Sequence, residues 1–290
     1  MLIDTHAHVN FNAFRDDADE VIRRSLDNDI WMINVGSTYE TSKRAIEIAE
    51  RYPEGIFAAI GLHPIHLAEG IFKTKIDTEE IAFQTKEEIF DFEEYKELAK
   101  SPKVVAIGEI GLDYYYRPKI PMAKPSRILD EVGTKIKLEE FKGKQKQTLL
   151  KQLDLAKDLN LPVIFHCRMA HQDLLEIISN FQFSISKPRG VIHCFTGTWE
   201  QAEKYLEMGF CIGLNGIIFK MDIDGIIKKA PLEKILIETD CPYLTPPPTE
   251  GRNEPINVKY IAEKIAKIKN LSFGEVAKIT TQNAKDLFGI

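Results

Sequence analysis

Two histidines near the start of the chain, His6 and His8, have the side-chain type and the spacing of a metal-binding pair. They close a short apolar run over residues 2–9. In a β-strand, residues i and i+2 lie on the same face, so a strand here would direct both imidazoles to the same side. Two neutral imidazole nitrogens at a rigid strand end are suited to holding one metal ion. A His-x-His pair is a weak motif alone, so the prediction of a metalloenzyme depends on further ligands elsewhere.

The composition is that of a globular protein with a substantial core. The chain has 290 residues, of which 44% are hydrophobic and 28% are charged, and its formal net charge is −6. This length fits one α/β barrel, and the acidic balance provides no global basic field for nucleic acid. No apolar stretch reaches the length of a membrane span, and no signal-peptide pattern opens the sequence. We expect a single domain over residues 1–290, located in the cytoplasm and without a membrane partner.

Short β-rich runs alternate with amphipathic helical patterns along the chain. The predicted strands are 2–9, 31–36, 56–62, 103–110, 162–167, 190–195, 210–215 and 234–239. The predicted helices are 17–28, 40–51, 86–100, 143–159, 171–180, 199–208, 222–229, 257–269 and 272–287. This alternation predicts an α/β fold, a TIM-type (β/α)8 barrel whose parallel strands are covered by helices. We expect two long loops at the carboxyl ends of the third and fourth strands, over residues 64–86 and 116–141.

Six ionisable side chains fall at the carboxyl ends of these predicted strands, where barrel enzymes gather their active sites. We call them the six rim residues: His6, His8, Glu109, His166, His193 and Asp240. Each alone has an ordinary explanation as a hydrogen-bonded core histidine or a helix cap. Burying all six at one barrel mouth without a metal would leave several kcal/mol of desolvation uncompensated, on the order of the known cost of buried charge. Together they predict a two-metal hydrolytic site.

Seven motifs, five of which contain the six rim residues, resemble the TatD-related deoxyribonuclease family of amidohydrolase-like metal-dependent hydrolases. They are DTHAH at 4–8, GLHP at 61–64, IGEIGLDY at 107–114, PVIFHCR at 162–168, GVIHCFTG at 190–197, ETDCPYLTP at 238–246 and GRNEP at 251–255. The resemblance extends over nearly the whole chain and leaves none of the six rim residues without a counterpart. It implies a TIM barrel that hydrolyses phosphodiester bonds in DNA with divalent metal.

On this resemblance we expect two divalent ions, Mg²⁺ or Mn²⁺ in function, with Zn²⁺ as an alternative. Glu109 would bridge both ions. The remaining ligands would be His6, His8 and Asp240 at the first ion, and His166 and His193 at the second. The nucleophile would be a hydroxide that bridges the ions, and Asp240 would accept its proton as a general base. Glu109 and Asp240 are therefore the predicted catalytic residues.

Five further residues are candidates for contact with the substrate: His63, Arg168, Tyr114, Arg252 and Asn253. The arginines would stabilise charge on the phosphoryl group. One of the three consecutive tyrosines Tyr114, Tyr115 and Tyr116 would stack an unpaired base, and we expect at least two of them to pack at the rim. The expected partner is DNA, as single strands or ends attacked by an exonuclease, with RNA as a second candidate substrate. Two alternatives stay open: an amide or lactone hydrolase of the same superfamily, and a barrel without catalytic activity that binds nucleic acid or protein.

Overall fold

An eight-stranded parallel sheet forms the centre of the protein. The structure is a computed structural model and describes residues 1–76, 79–116, 127–182 and 189–290. The strands, in the order in which they pair, are β1 Leu2–Ala7, β2 Ile30–Val35, β3 Ile56–Ile60, β6 Val104–Asp113, β7 Val163–Arg168, β8 Gly190–Ile192, β9 Cys211–Leu214 and β10 Ile235–Ile237. The strands β4 Gly70–Ile76 and β5 Glu79–Thr85 form a separate antiparallel hairpin. All eight predicted barrel strands are confirmed.

Helices alternate with the strands of the sheet. They are α1 Ala18–Leu26, α2 Tyr39–Ala49, α3 Phe92–Leu98, α4 Arg127–Leu159, α5 His171–Asn180, α6 Trp199–Glu207, α7 Asp224–Lys229, α8 Val258–Lys269 and α9 Phe273–Phe288. Capping boxes begin three of them, because the hydroxyls of Thr38, Thr198 and Ser272 each accept a hydrogen bond from the backbone N–H three residues later. Within the described residues, no helix combines the length and the apolar character needed to cross a membrane.

The two predicted long loops contain regular structure. Residues 64–86 do form a long connection after β3, but a 3-10 turn at Pro64–Leu67 and the β4–β5 hairpin account for most of it. The prediction of a loop up to residue 141 is wrong for residues 127–141, because α4 already begins at Arg127. Residues 117–126 of that predicted loop lie outside the described residues.

The sheet closes into a barrel where the first and last strands end. The backbone N–H of Asp240 donates to the carbonyl of His6 at 2.8 Å, and the N–H of His8 donates to the carbonyl of Cys241 at 3.0 Å. The hydroxyl of Thr5 also donates to the carbonyl of Ile237 at 3.1 Å. These bonds fix the segment after β10 against the end of β1, which brings His6, His8 and Asp240 together.

The last helix closes the opposite end of the barrel. Leu287 and Phe288 of α9 pack in one apolar cluster with inward-facing strand residues, among them Ile3 and Leu236. The amide of Asn283 donates to a backbone carbonyl at the start of β10, which holds α9 against the strand starts. The apolar layer therefore fills the interior near the strand starts, and the polar residues lie at the carboxyl ends, as in enzymes of this architecture.

Candidate metal centre

His6 and His8 project from the end of β1 into the same buried space. Their Nε2 atoms are 3.1 Å apart, and both side chains are almost completely buried. The Nδ1 atom of His8 lies 2.8 Å from the carbonyl oxygen of Val35. Because a carbonyl only accepts, Nδ1 must carry the proton, and Nε2 keeps its lone pair for a ligand. The i, i+2 spacing thus produces the paired imidazoles that the sequence predicts.

Glu109 of β6 lies between two pairs of histidines. One of its carboxylate oxygens faces His6 and His8, and the other faces His166 and His63. Its Oε2 atom is 3.4 Å from Nε2 of His6 and 4.0 Å from Nε2 of His8. Its Oε1 atom is 2.7 Å from Nδ1 of His166 and 3.3 Å from Nε2 of His63. A carboxylate with this placement has the position needed to bridge two neighbouring ions.

Asp240 and His193 complete the cluster from the strands on the other side of β1. The Oδ1 atom of Asp240 is 3.3 Å from Nε2 of His8 and 3.8 Å from Nε2 of both His6 and His193. The rings of His6 and His193 stack with their centroids 3.6 Å apart. The structure therefore brings all six rim residues to one place, as the strand-end argument requires.

Two buried carboxylates at the centre were missed by the sequence analysis. Glu238 is fully buried, and its Oε1 atom lies 2.9 Å from Nδ1 of His193 and accepts from the backbone N–H of Cys194 at 2.7 Å. Asp113 faces the other nitrogen of His166, with 3.1 Å between Oδ2 and Nε2. The i, i+2 rule could have found Glu238, because it precedes Asp240 by two residues.

Gly213 of β9 leaves the space that Glu238 occupies. A Cβ atom at this position would lie 2.5 Å from Oε2 of Glu238. The amide of Asn215, two residues further along, donates to Oε1 of the same carboxylate at 3.2 Å. The neighbouring strand thus both accommodates this buried charge and provides it with a hydrogen bond.

The separations between the donor atoms fit the coordination of shared divalent ions. Ligand atoms about 2.0–2.2 Å from one ion lie roughly 3–4 Å from each other. His6, His8 and Glu109 offer one such group, and His63, Glu109 and His166 offer another, each with its ligand atoms within 4.8 Å of one another. Nitrogen and carboxylate donors in this proportion suit Mn²⁺ and Zn²⁺, and Mg²⁺ at the carboxylates. The chemistry of the donors and their spacing therefore both fit a metal centre.

Charge at the centre lowers the proton affinity of its carboxylates. Burial alone would raise the pKa of Glu109, but the imidazoles of His63 and His193 lead a group of neighbours that hold it well below its usual range. The pKa of Asp240 is also lowered, because the charge of His193 outweighs the effect of burial. Both carboxylates are therefore ionised at neutral pH and available as ligands.

The pKa values of two histidines at the centre are raised. Burial opposes protonation of His166, yet its hydrogen bonds to Asp113 and Glu109 raise its pKa to about 9. Burial also opposes protonation of His193, but nearby carboxylates, Glu238 first, raise its pKa to about 10. Because a metal ligand must be a neutral imidazole, metal binding has to displace these protons.

The backbone is left-handed at two positions of the centre. Asp240 has φ +58° and Cys194, directly after His193, has φ +45°. Residues other than glycine seldom adopt this region, and such strained positions concentrate at functional sites. Both residues follow barrel strands, Cys194 just after β8 and Asp240 three residues after β10.

The predicted substrate residues have different surroundings. The Nδ1 atom of His63 accepts from the backbone N–H of Ile65, and its Nε2 atom lies 3.3 Å from Oε1 of Glu109. The hydroxyl of Tyr114 donates to Oδ2 of Asp173 at 2.6 Å. Contact of His63 and Tyr114 with a substrate stays a prediction.

Arg252 and Asn253 are both bound within the fold. The guanidinium of Arg252 pairs with Asp17 at 2.5 Å and with Glu254 at 3.3 Å. The amide of the fully buried Asn253 donates to the carbonyls of Thr239 and Tyr243, at 3.1 and 2.7 Å. Both amide hydrogens are used there, so the geometry gives Asn253 a role in fixing the segment after β10. The predicted substrate contact of Arg252 stays a prediction.

Comparisons with known proteins identify the family to which this chain belongs. The family model described as TatD related DNase matches residues 3–289. A relative from Bacillus subtilis, named uncharacterized metal-dependent hydrolase YabD, is 39% identical over 295 residues and is matched along all of both chains. The protein named 3'-5' ssDNA/RNA exonuclease TatD from Escherichia coli K12 is 30% identical, over 100% of this chain and 99% of its own.

Solved structures show the same fold. The crystal structure of YjjV, a TatD homologue from Escherichia coli K12, matches with a TM-score of 0.78 at 26% identity and covers 100% of this chain and 98% of its own. A TatD family hydrolase from Entamoeba histolytica matches with a TM-score of 0.72 at 25% identity, over 99% and 97% of the two chains. The TIM-type barrel expected from the sequence is therefore confirmed.

Proposed function

This chain belongs to the TatD-related DNase family, and we propose that it is a divalent-metal-dependent hydrolase that cleaves phosphodiester bonds at the ends of single-stranded DNA. One observation carries the proposal: four imidazoles and two carboxylates from distant strands face one another at the carboxyl end of the barrel. Such a donor set suits two metal ions, and two-metal sites are common in enzymes that cleave phosphate esters.

We assign the six rim residues as the ligands. His6, His8 and Asp240 would hold one ion, His166 and His193 a second, and Glu109 both. Bound divalent ions would acidify an attacking water and neutralise the charge that develops on the phosphoryl oxygens. The second nitrogens of His8, His193 and His166 lie 2.8, 2.9 and 3.1 Å from oxygens of Val35, Glu238 and Asp113, which favours one orientation for each of these three rings.

The proposed proton acceptor is Asp240. Its side chain is 15% exposed, whereas that of Glu109 is 6% exposed, so Asp240 is the more accessible of the two carboxylates to a water in the barrel mouth. Its lowered pKa keeps it ionised at neutral pH, as a general base must be. Glu109, surrounded by histidines, would act as a ligand.

The proposed substrate is a single strand or a frayed end. The relative TatD from Escherichia coli is named a 3'-5' ssDNA/RNA exonuclease. A chain with net charge −6 has weak general attraction for duplex DNA, since such binding depends on neutralising many phosphates. Recognition would therefore depend on the local centre and on exposed bases.

The test is metal removal followed by addition of Mg²⁺, Mn²⁺ or Zn²⁺ singly, with end-labelled single- and double-stranded DNA and RNA as substrates and an amide and lactone panel beside them. We expect metal-dependent shortening of single-stranded DNA that is lost in Asp240→Asn. The exposed Asp222 provides the matched control, because Asp222→Asn makes the same change outside the centre. Hydrolysis of the panel with no nucleic-acid cleavage would favour the amide or lactone hydrolase, and oligonucleotide binding without any hydrolysis would favour the noncatalytic barrel.

A further inference from the structure

We propose that Tyr115 stacks one nucleobase beside the cleaved phosphodiester, with Arg168 covering the other face of its ring. This inference rests on the proposed function and adds to it the position at which an unpaired base is bound. The sequence leaves this role open among Tyr114, Tyr115 and Tyr116, and the structure distinguishes them.

Three consecutive tyrosines follow Asp113, and only one of the three is mostly exposed to solvent. Tyr114 is half-buried and its hydroxyl is bonded to Asp173. Tyr116 is buried, and its hydroxyl is hydrogen-bonded to Thr85 at 3.0 Å. Tyr115 is 58% exposed. A large aromatic side chain with this exposure is available for a ligand, whereas its two neighbours are committed to packing.

Tyr115 is nevertheless held in place. Its backbone N–H donates to Oδ1 of Asp113 at 2.9 Å, and Oδ2 of the same carboxylate contacts His166. The position of the ring is thus tied to the metal centre through one shared carboxylate. A platform fixed in this way loses little conformational entropy when a base binds.

Arg168 covers one face of the Tyr115 ring. Its guanidinium carbon lies 3.7 Å from the ring centroid, so the exposed area belongs largely to the opposite face. Arg168 and His166 are two residues apart on β7, which places them on the same face about 7 Å apart along the strand. Among the side chains that the structure describes, no carboxylate lies within ion-pair distance of Arg168, in contrast to Arg252.

This arrangement has the chemistry of single-strand recognition. Nucleobases stack on aromatic rings whatever their identity, because every base has a π face. A guanidinium that lies flat on a ring keeps its N–H edge free to donate to phosphate oxygens. A phosphate near His166 would therefore have its base close to Tyr115.

The test combines variants of the protein with variants of the substrate. Cleavage of a 5′-labelled oligodeoxythymidylate is compared with cleavage of the same strand carrying one abasic residue, placed in turn at each nucleotide near the 3′ end. For Tyr115→Leu we expect kcat/KM on the full strand to fall by about 5- to 100-fold, the range that loss of one stacked base produces. Tyr115→Phe keeps the ring and should stay within about twofold of wild type.

The abasic strands separate stacking from other causes. At one position, removal of the base should lower wild-type cleavage by a similar factor and leave Tyr115→Leu without further loss. Tyr52, between α2 and β3 at the opposite end of the barrel, provides the matched control Tyr52→Leu, which should cleave all strands as wild type does.

If Tyr115→Leu and wild type lose equal activity at every abasic position, the stacking proposal is wrong while the nuclease function stands. If wild type neither cleaves nor binds the labelled strand, measured by fluorescence anisotropy with Mn²⁺ present, the proposed function itself is wrong. If Tyr115→Leu weakens cleavage only on strands that keep the base, the proposal is supported.

Discussion

Replacement of Glu238 by glutamine tests how the protein orients His193. The Oε1 atom of Glu238 meets three donors, from His193, Cys194 and Asn215, at 2.9, 2.7 and 3.2 Å. Because glutamine retains one carbonyl oxygen, Glu238→Gln can keep all three contacts while it removes the charge. Its amide nitrogen would take the place of Oε2, on the side where Gly213 leaves room.

The expected loss of metal affinity follows from that charge. A carboxylate stabilises a divalent ion about twice as strongly as a single proton at a similar distance. Its removal therefore weakens metal binding more than it weakens binding of the competing proton on His193, whose pKa is raised to about 10 by Glu238, Asp240 and Glu109 together. We expect about a tenfold loss of affinity, about 1.4 kcal/mol, at the lower end of what such outer partners contribute.

Two measurements check this prediction. Competition with a chromophoric chelator gives the metal affinity, and NMR titration of the metal-free protein gives the pKa of His193, which should fall in Glu238→Gln. Glu233, exposed in the turn before β10, offers the control Glu233→Gln. Wild-type affinity together with an unchanged pKa of His193 in Glu238→Gln would refute the reasoning.

Four further predictions concern the protons at the centre, an ion pair and the residues of α9 that close the barrel. Metal binding at pH 7 should release protons from His166 and His193, so the affinity for metal should rise between pH 7 and about 9. Calorimetry in buffers of different ionisation enthalpy would measure the proton release. In the metal-free protein, the raised pKa of His166 contributes stability that is present below pH 6.5 and is lost as pH rises through about 9, which urea unfolding of wild type and His166→Gln would detect. Arg252→Lys should lower the free energy of unfolding by about 1 kcal/mol, because lysine keeps the charge but not the two hydrogen bonds of the guanidinium to Asp17. It should leave kcat/KM within about twofold, and a large kinetic defect would instead support substrate contact. Phe288→Ala should cost about 3–5 kcal/mol of stability and leave metal affinity unchanged. An altered metal affinity would contradict our conclusion that the apolar end closed by α9 is separate from the metal centre.

The alternation of strands and helices was predictable because each barrel strand is a short apolar run. Runs such as 162–167 end at a polar residue, so the strand end and the site residue, here His166, are read from the same pattern. Since parallel strands of a barrel all end at one rim, assigning the strands also placed the ionisable side chains together. This regularity explains why the six rim residues meet.

The sequence contains weak signals for the early start of α4 and for the β4–β5 hairpin, but the length of both connections favoured irregular loops. Ile128, Val132 and Ile136 recur at a helical spacing, but charged residues and Gly133 interrupt the pattern. Residues 71–76 alternate Lys with apolar or β-branched residues, as in a strand. Both elements follow a barrel strand at a length that is unusual for this fold, so length alone favoured an irregular loop.

Side-chain partners across the site depend on tertiary contacts and could not be predicted from spacing. Arg252 stood close to candidate catalytic residues in the sequence, yet Asp17, far away in the chain, neutralises it. Tyr114 and Tyr115 are indistinguishable by type, and only their burial and the position of Arg168 separate them. Such distinctions require the three-dimensional arrangement of segments distant in sequence.

The central claim is that six side chains from separate strands hold two divalent ions. Crystals of the protein grown with Mn²⁺ and measured near the manganese absorption edge test it most directly, because anomalous peaks locate the ions without assumptions about their ligands. The account predicts two peaks in the barrel mouth, both within coordination distance of Glu109, one beside His6 and His8 and one beside His166. Well-ordered crystals without an anomalous peak at this centre, or with ions bound only elsewhere, would contradict it.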